Sequence, residues 1–239
     1  MSVTLSIMFS SAAMARDRIY LLAGQSNMMG LAGTEGLPAA YKSTPPNVVF
    51  YYKGGARPLA RDKHIGPEVS FAHAVARAFP ADRHIIVKFA ATGSHIRQWF
   101  PGEHYYKGLL RQLELAVSPE TPEIEAIFWM QGEGDAFNKE RASQYATNLT
   151  HFIRHLRQDL RAAGAPFIMG LIDPIGRDFP EVALVQQNQR LVNSTVANTY
   201  LLPAEGISKI YDNIHFDALG QVEMGKRFAQ QYIEIAGRK

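Results

Sequence analysis

The chain has 239 residues, 46% of them hydrophobic and 20% charged, a composition that excludes disordered and collagen-like polymers. A chain of this length buries roughly 70–75% of its unfolded surface, so it folds without staples, and the absence of cysteine excludes disulfide scaffolds, zinc fingers, iron–sulfur sites and a thiol nucleophile. Its 25 basic and 22 acidic residues leave +3, scattered rather than striped, which gives no footprint for nucleic acid.

At the N-terminus, Val3 to Phe9 is a short apolar run followed by small residues ending in Ala13-Met14-Ala15. That pattern reads as a shortened secretory signal over residues 1–15, without its usual basic start, or else as a frayed terminus with no export role. The first reading places the protein outside the cell or in the periplasm, the second in the cytoplasm. No apolar stretch reaches the length of about 18 residues that a membrane-spanning helix needs.

Downstream, β-branched apolar runs alternate with segments of helical period, the pattern of an α/β protein whose parallel sheet is covered on both faces. Strands are predicted over 18–23, 48–52, 84–90, 124–130 and 167–172. A helix starts at Pro67, shows Phe71, Ala72, Val75, Ala78 and Phe79 on one face, and stops at Pro80. Another carries Tyr145, Leu149, Phe152, Ile153, Leu156 and Leu160 and ends near Gly164; a last one carries Val222, Gly225, Ala229, Tyr232 and Ile233. No repeat or linker divides residues 16–239, which read as a single domain.

Ligands of such sheets bind beyond the carboxyl ends of the strands, and the segments there are unusual: Gly24-Gln25-Ser26-Asn27-Met28, Ala91-Thr92-Gly93-Ser94-His95, Gln131-Gly132-Glu133-Gly134-Asp135 and, before the last helix, Asp212-Asn213-Ile214-His215. Ser26 is a candidate nucleophile where a buried strand turns into a helix, although Gly-x-Ser also serves simple turns and caps. It is not the Gly-x-Ser-x-Gly elbow, because position 28 is Met. A serine hydroxyl needs a base held by a third group. Asp212 and His215 suit that pairing on one side of a tight turn, or a plain cap. Of the other histidines, His73, His151 and His155 fall in helices, His84 opens a strand, and His64 and His104 lie in polar loops; His95, in a loop after a strand, is the rival base. Oxyanion donors would be the Ser26 and Gly93 N–H groups and the Gln131 amide.

These blocks, Ala23-Gly24-Gln25-Ser26-Asn27-Met28, Thr92-Gly93-Ser94, Trp129 to Ala136 and Asp212 to His215, resemble those of the SGNH (GDSL-like) hydrolase superfamily. They are most similar to its branch of sialate O-acetylesterases and family 6 acetylxylan esterases, over about residues 18 to 235, and Gly66-Pro67-Glu68 is a further match. The resemblance implies a three-layer α/β/α sandwich with a five-stranded parallel sheet, and a triad of Ser26, His215 and Asp212 working with no metal and no cofactor. It implies an oxyanion hole of Ser26, Gly93 and Gln131, with glutamine where much of the superfamily has asparagine. Ala91-Thr92-Gly93 departs from relatives that carry two consecutive glycines.

Glu133, with Asp135, is expected behind the nucleophile turn, accepting backbone N–H groups from Gln25 or Asn27. Arg97, Trp99 and Phe100 either line the cleft, Trp99 offering a flat face to a sugar ring, or form a packed lid. Asp217 is expected to cap the last helix. The sequence thus reads as a serine acetylesterase whose partner is an acetylated oligo- or polysaccharide such as acetylxylan. A sialate O-acetylesterase is the alternative, and an inactive carbohydrate-binding relative the reading from another class.

Overall fold

In the computed structural model, residues 15–60, 64–117 and 123–238 are described. The first strand, β1 (Asp17–Gly24), is buried from its second residue onward. An apolar run with no exposed face must sit mid-sheet between helix layers, and β1 is hydrogen-bonded to a parallel partner on each side: β4 (Arg83–Ala90) and β5 (Ile124–Met130). Outward from β4 lie β2 (Val48–Tyr52) and β3 (Gly55–Arg57); outward from β5 lie β6 (Phe167–Gly170) and β7 (Thr199–Leu202), giving the order β3-β2-β4-β1-β5-β6-β7.

The α/β class and the layering agree with expectation, but the sheet has seven strands rather than five. Neither added strand has a long apolar run. β3 is the return arm of a tight hairpin with Lys53 and Gly54 at positive φ, and is the antiparallel strand at one edge; β7 is a four-residue edge. The predicted strand over 167–172 ends at Gly170.

Alternate residues of the central strands feed two cores. Tyr20, Leu22, Ile86 and Phe128 pack beneath α2 (Glu68–Ala78) and α6 (Ala218–Ala236). Leu21, Ala23, Val87 and Trp129 pack beneath α3 (His104–Ala116), α4 (Lys139–Asp159) and α5 (Val182–Thr195). The three predicted helices correspond to α2, α4 and α6; α4 stops at Asp159, before Gly164, because Arg161 adopts a positive φ. Asp217 caps α6 through Gly220 N–H (2.8 Å).

The structure adds two helices, α3 and α5, to the predicted three. His104 opens α3 instead of lying in a loop. α5 buries Asn188 and Gln189 alongside Val185 and Val192. Those carboxamides serve buried backbone groups: Gln189 accepts from Ile172 N–H and donates to Gly170 C=O, and Asn188 donates to Ala142 C=O. The expected leader over residues 1–15 lies, but for Ala15, outside the described residues. Among the described residues no helix is long and apolar enough to cross a membrane.

Candidate active site

After β1 the chain builds β2, β3 and β4 on one side of it and then crosses to β5 on the other, so the crevice opens at the carboxyl ends of β4, β1 and β5. At the end of β1, Gly24 has φ +147°, and a Cβ there would stand 2.1 Å from Met130 C=O. Only glycine allows this approach, which lets Gln25 N–H reach Met130 C=O at 2.8 Å. The chain then turns into α1 (Ser26–Met29), with Ser26 first in the turn and 4% exposed. Beneath the turn's far end a buried ammonium anchors it: Lys88 Nζ donates to Met29 C=O (2.9 Å) and pairs with Glu68 Oε2 (2.8 Å). Glu68 Oε1 in turn accepts Gly66 N–H, so the Gly66-Pro67-Glu68 segment braces the nucleophile turn.

The Asp212–His215 loop is built around one carboxylate. Asp212 Oδ1 accepts the N–H groups of Ile214 (2.8 Å) and His215 (2.9 Å), while Oδ2 takes His215 Nδ1 at 2.6 Å. Burial tends to raise the Asp212 pKa, but these N–H groups and the imidazole hold it below the usual range. The carboxylate therefore stays ionised and fixes the Nδ1–H tautomer, leaving Nε2 as the nitrogen able to take a proton. Among the described residues no carboxylate hydrogen-bonds to the ring of His95, the rival. Its backbone N–H donates to Gln98, and burial together with Arg141 and Arg97 lowers its pKa.

Asn27 joins the two halves. Its Oδ1 accepts Phe216 N–H (3.0 Å), and its Nδ2 donates to Ile214 C=O (3.2 Å) and Glu133 Oε1 (3.0 Å). Among the described residues no hydrogen bond joins Ser26 Oγ to His215. In unliganded sites such bonds are commonly long and tighten on complex formation.

Two of the three expected oxyanion donors are unengaged: neither the Ser26 nor the Gly93 N–H has an acceptor among the described residues. Gly93 lies in an exposed loop at φ +66° with open space around it, a conformation suited to glycine. The Gln131 amide is placed differently from expectation. It is fully buried, and its Nε2 hydrogens are committed to Ser94 C=O (2.9 Å) and Asp135 Oδ2 (2.7 Å), while its side-chain oxygen accepts from the Tyr145 hydroxyl. Gln131 thus supports the Gly93–Ser94 loop from behind instead of offering a free donor to the cleft.

The other supporting roles are also rearranged. Glu133 receives Asn27's side chain rather than the backbone N–H of Gln25 or Asn27. Burial raises its pKa against the pull of its own N–H, Asn27 and His215. The backbone N–H groups of Gly132 and Gly134 are instead taken by Gln25 Oε1, at 3.2 and 3.3 Å. Asp135, pushed up to about 6 by burial despite its bonds to Gln131 and Ile96 N–H, holds the loop after Gly93 and does not touch the nucleophile turn. Trp99 is no sugar platform. It is 0% exposed, packed edge-on to Trp129 and Phe89, with its indole N–H on Ser94 Oγ. Phe100 packs against His151 with the rings tilted by 40°, whereas Arg97 is exposed and lines a cavity of about 330 Å3 with His95, Asp135, Asn138, Arg141 and Gln144. Sequence reasoning missed Lys88 and Tyr145. A lone lysine inside the apolar run Ile85-Ile86-Val87-Lys88-Phe89 was the available signal for the first.

Residues 16–234 match the model of a family described as carbohydrate esterase, sialic acid-specific acetylesterase. A probable carbohydrate esterase of Arabidopsis thaliana is 28% identical over 241 residues, covering 91% of this chain and 90% of its own length. Among solved structures, an Arabidopsis thaliana protein superposes with a TM-score of 0.81 at 24% identity, over 91% of this chain and 98% of its own. NanS superposes at 0.77 with 16% identity, over 95% and 100%. A carbohydrate acetylesterase from Xanthomonas citri superposes at 0.71 with 18% identity, over 93% and 57%. At these identities the structural likeness is one of fold.

Proposed function

We propose a chemistry for the Ser26 cleft from one premise: the chain belongs to the carbohydrate esterase family described as sialic acid-specific acetylesterase, among the SGNH-type hydrolases its sequence blocks resemble. It is an ester hydrolase, and in our reading it removes O-acetyl groups from sugars through an acyl-enzyme. Ser26 Oγ attacks the acetyl carbonyl as His215 Nε2 takes its proton. The tetrahedral oxyanion is met by the Ser26 and Gly93 N–H groups, and its collapse releases the sugar hydroxyl with the proton returned by His215. Water, deprotonated by His215, then attacks the acetyl-serine; acetate leaves and Ser26 regains its proton.

The observation that carries this reading is the Asp212–His215 contact at 2.6 Å, on a loop that Asn27 ties to the turn bearing Ser26. Acetylated xylan or a similar plant polysaccharide is the first substrate. Sialate O-acetylesters are the second, favoured by Arg97 and Arg141, two guanidiniums beside the Gly93 loop that suit a sugar carboxylate.

Acetate release from acetylxylan, acetylated glucomannan and O-acetylated sialic acid, by the wild type and by Ser26→Ala, tests both levels. Ser26→Ala should lose at least about 10³-fold on every substrate, and His215→Ala nearly as much, since such residues act as a unit. Equal rates for wild type and Ser26→Ala would leave an inactive carbohydrate-binding relative as the better description. Loss on His95→Ala with His215→Ala active would move the base to His95.

A further inference from the structure

Asn27, 3% exposed, is the residue after the candidate nucleophile, and its carboxamide grips the chain on either side of the candidate base. Ile214 C=O belongs to the peptide before His215 and Phe216 N–H to the peptide after it. Both peptide planes carrying the His215 Cα are therefore held by one side chain. The three partners are two acceptors and one donor: Glu133 Oε1, Ile214 C=O and Phe216 N–H. Only one orientation of the amide satisfies them. Turned over, its oxygen would face two oxygens and its NH2 group would face an N–H. Glu133, 4% exposed, makes that choice costly to reverse, because an acceptor in a dry site cannot tolerate another acceptor against it.

We infer that Asn27 is a positioning residue for ester hydrolysis: its carboxamide, oriented by Glu133, sets where the His215 imidazole stands relative to the Ser26 hydroxyl. The inference rests on the Ser26–His215 acyl-transfer reading. Asp212 fixes which nitrogen is free and how the ring is rotated about its own loop, but it belongs to that same loop and moves with it. Asn27 belongs to the other half. It is the direct tie between the base loop and the nucleophile turn, and a misplacement of about 1 Å between reacting groups costs about 10²-fold.

The test is a double-mutant cycle on p-nitrophenyl acetate with Asn27→Ala, His215→Ala and the pair, alongside Asn27→Asp and Glu133→Gln. Asn27→Ala should lower kcat about 10²-fold with KM within about threefold of wild type, and should cost under about threefold once His215 is already alanine. Asn27→Asp keeps the volume but sets oxygen against Glu133 and Ile214 C=O, so it should lose at least as much and carries the test if Asn27→Ala does not fold. Glu133→Gln retains an acceptor for Asn27 and should stay within about tenfold of wild type. Equal losses from Asn27→Ala in both backgrounds, or none with His215 present, would overturn the inference while leaving the acyl-transfer reading intact. A His215→Ala or Ser26→Ala enzyme as active as wild type would overturn both.

Discussion

Apart from the Lys88–Glu68 ion pair beneath the Ser26 turn, the two ends of the sheet bury carboxylates in opposite ways. At the amino ends of β1, β4 and β5, Arg18 lies between Asp82 and Glu125, with the Tyr232 hydroxyl on Glu125 and Arg16 reaching Glu125 at 2.7 Å. At the carboxyl ends, Glu133 and Asp135 are met by the neutral carboxamides of Asn27 and Gln131 and, for Asp135, by Ile96 N–H. A cation compensates buried charge, so the first cluster is a fastener. An amide compensates less but has a donor end and an acceptor end, so it aims whatever it holds. The difference teaches that charge is neutralised where the fold needs strength, and dipoles are used where a direction must be fixed.

The largest effect expected of this contrast is on catalysis. Asp212→Asn offers Nδ1 a donor in place of an acceptor and should lower kcat by about 10³–10⁴-fold, through the wrong tautomer, with little change in urea stability. A loss under tenfold would break the assignment of Asp212 as orienter. At the other end, Arg18→Met takes the guanidinium from Asp82 and leaves Glu125 with Arg16 and Tyr232, and should cost about 3 kcal/mol in urea denaturation while leaving kcat/KM within about twofold. A variant that lost activity but not stability would abolish the distinction between the ends.

The pH dependence sharpens it. Burial raises the Asp82 pKa, but Arg18 and Arg16 N–H hold it below the usual range; its contribution is complete above about pH 4 and is lost as pH falls through the depressed value. Asp135 has the opposite sign. With a folded value of about 6, raised by burial, it favours the folded state at low pH, and that advantage declines as pH rises from about 4 to about 6. Urea titrations at several pH values should show Asp82→Asn losing its disadvantage below pH 4. Asp135→Asn should gain on wild type, by on the order of 2 kcal/mol, between pH 4 and 6. Like signs for both would contradict the contrast. The smallest change is Trp99→Phe, which removes the bond to Ser94 Oγ and should cost about 1 kcal/mol with KM unaltered, because no sugar reaches a ring that is 0% exposed. A raised KM there would restore the sugar-platform reading.

The candidates Ser26, His215 and Asp212 were legible in the sequence because their chemistry is local: a strand-to-helix turn sets one hydroxyl at its first position, and a carboxylate three residues from an imidazole can reach it within one loop. Trp99 was misplaced for a matching reason. Its position after Gly93 is local, but which way a 3-10 turn rotates its indole depends on Phe89 and, distant in the chain, on Trp129 and Phe152. The helix α5 was missed because it buries Asn188 and Gln189 as well as apolar residues, and such polar burial only makes sense once the backbone groups it serves are in place; α3 was missed although Tyr106, Leu109 and Leu113 stand at helical spacing.

By itself, then, the amino-acid order determined the α/β class, five of the seven strands and the short segments that bear the candidate site residues, since periodicity and neighbouring side chains act over a few residues. Tertiary structure decided the two edge strands, the retreat of Gln131 from the cleft and the joining of the base loop to the nucleophile turn through Asn27. Those outcomes depend on donors and acceptors far apart along the chain, and hydrogen-bond capacity buried at one point is matched only after folding brings its partner there.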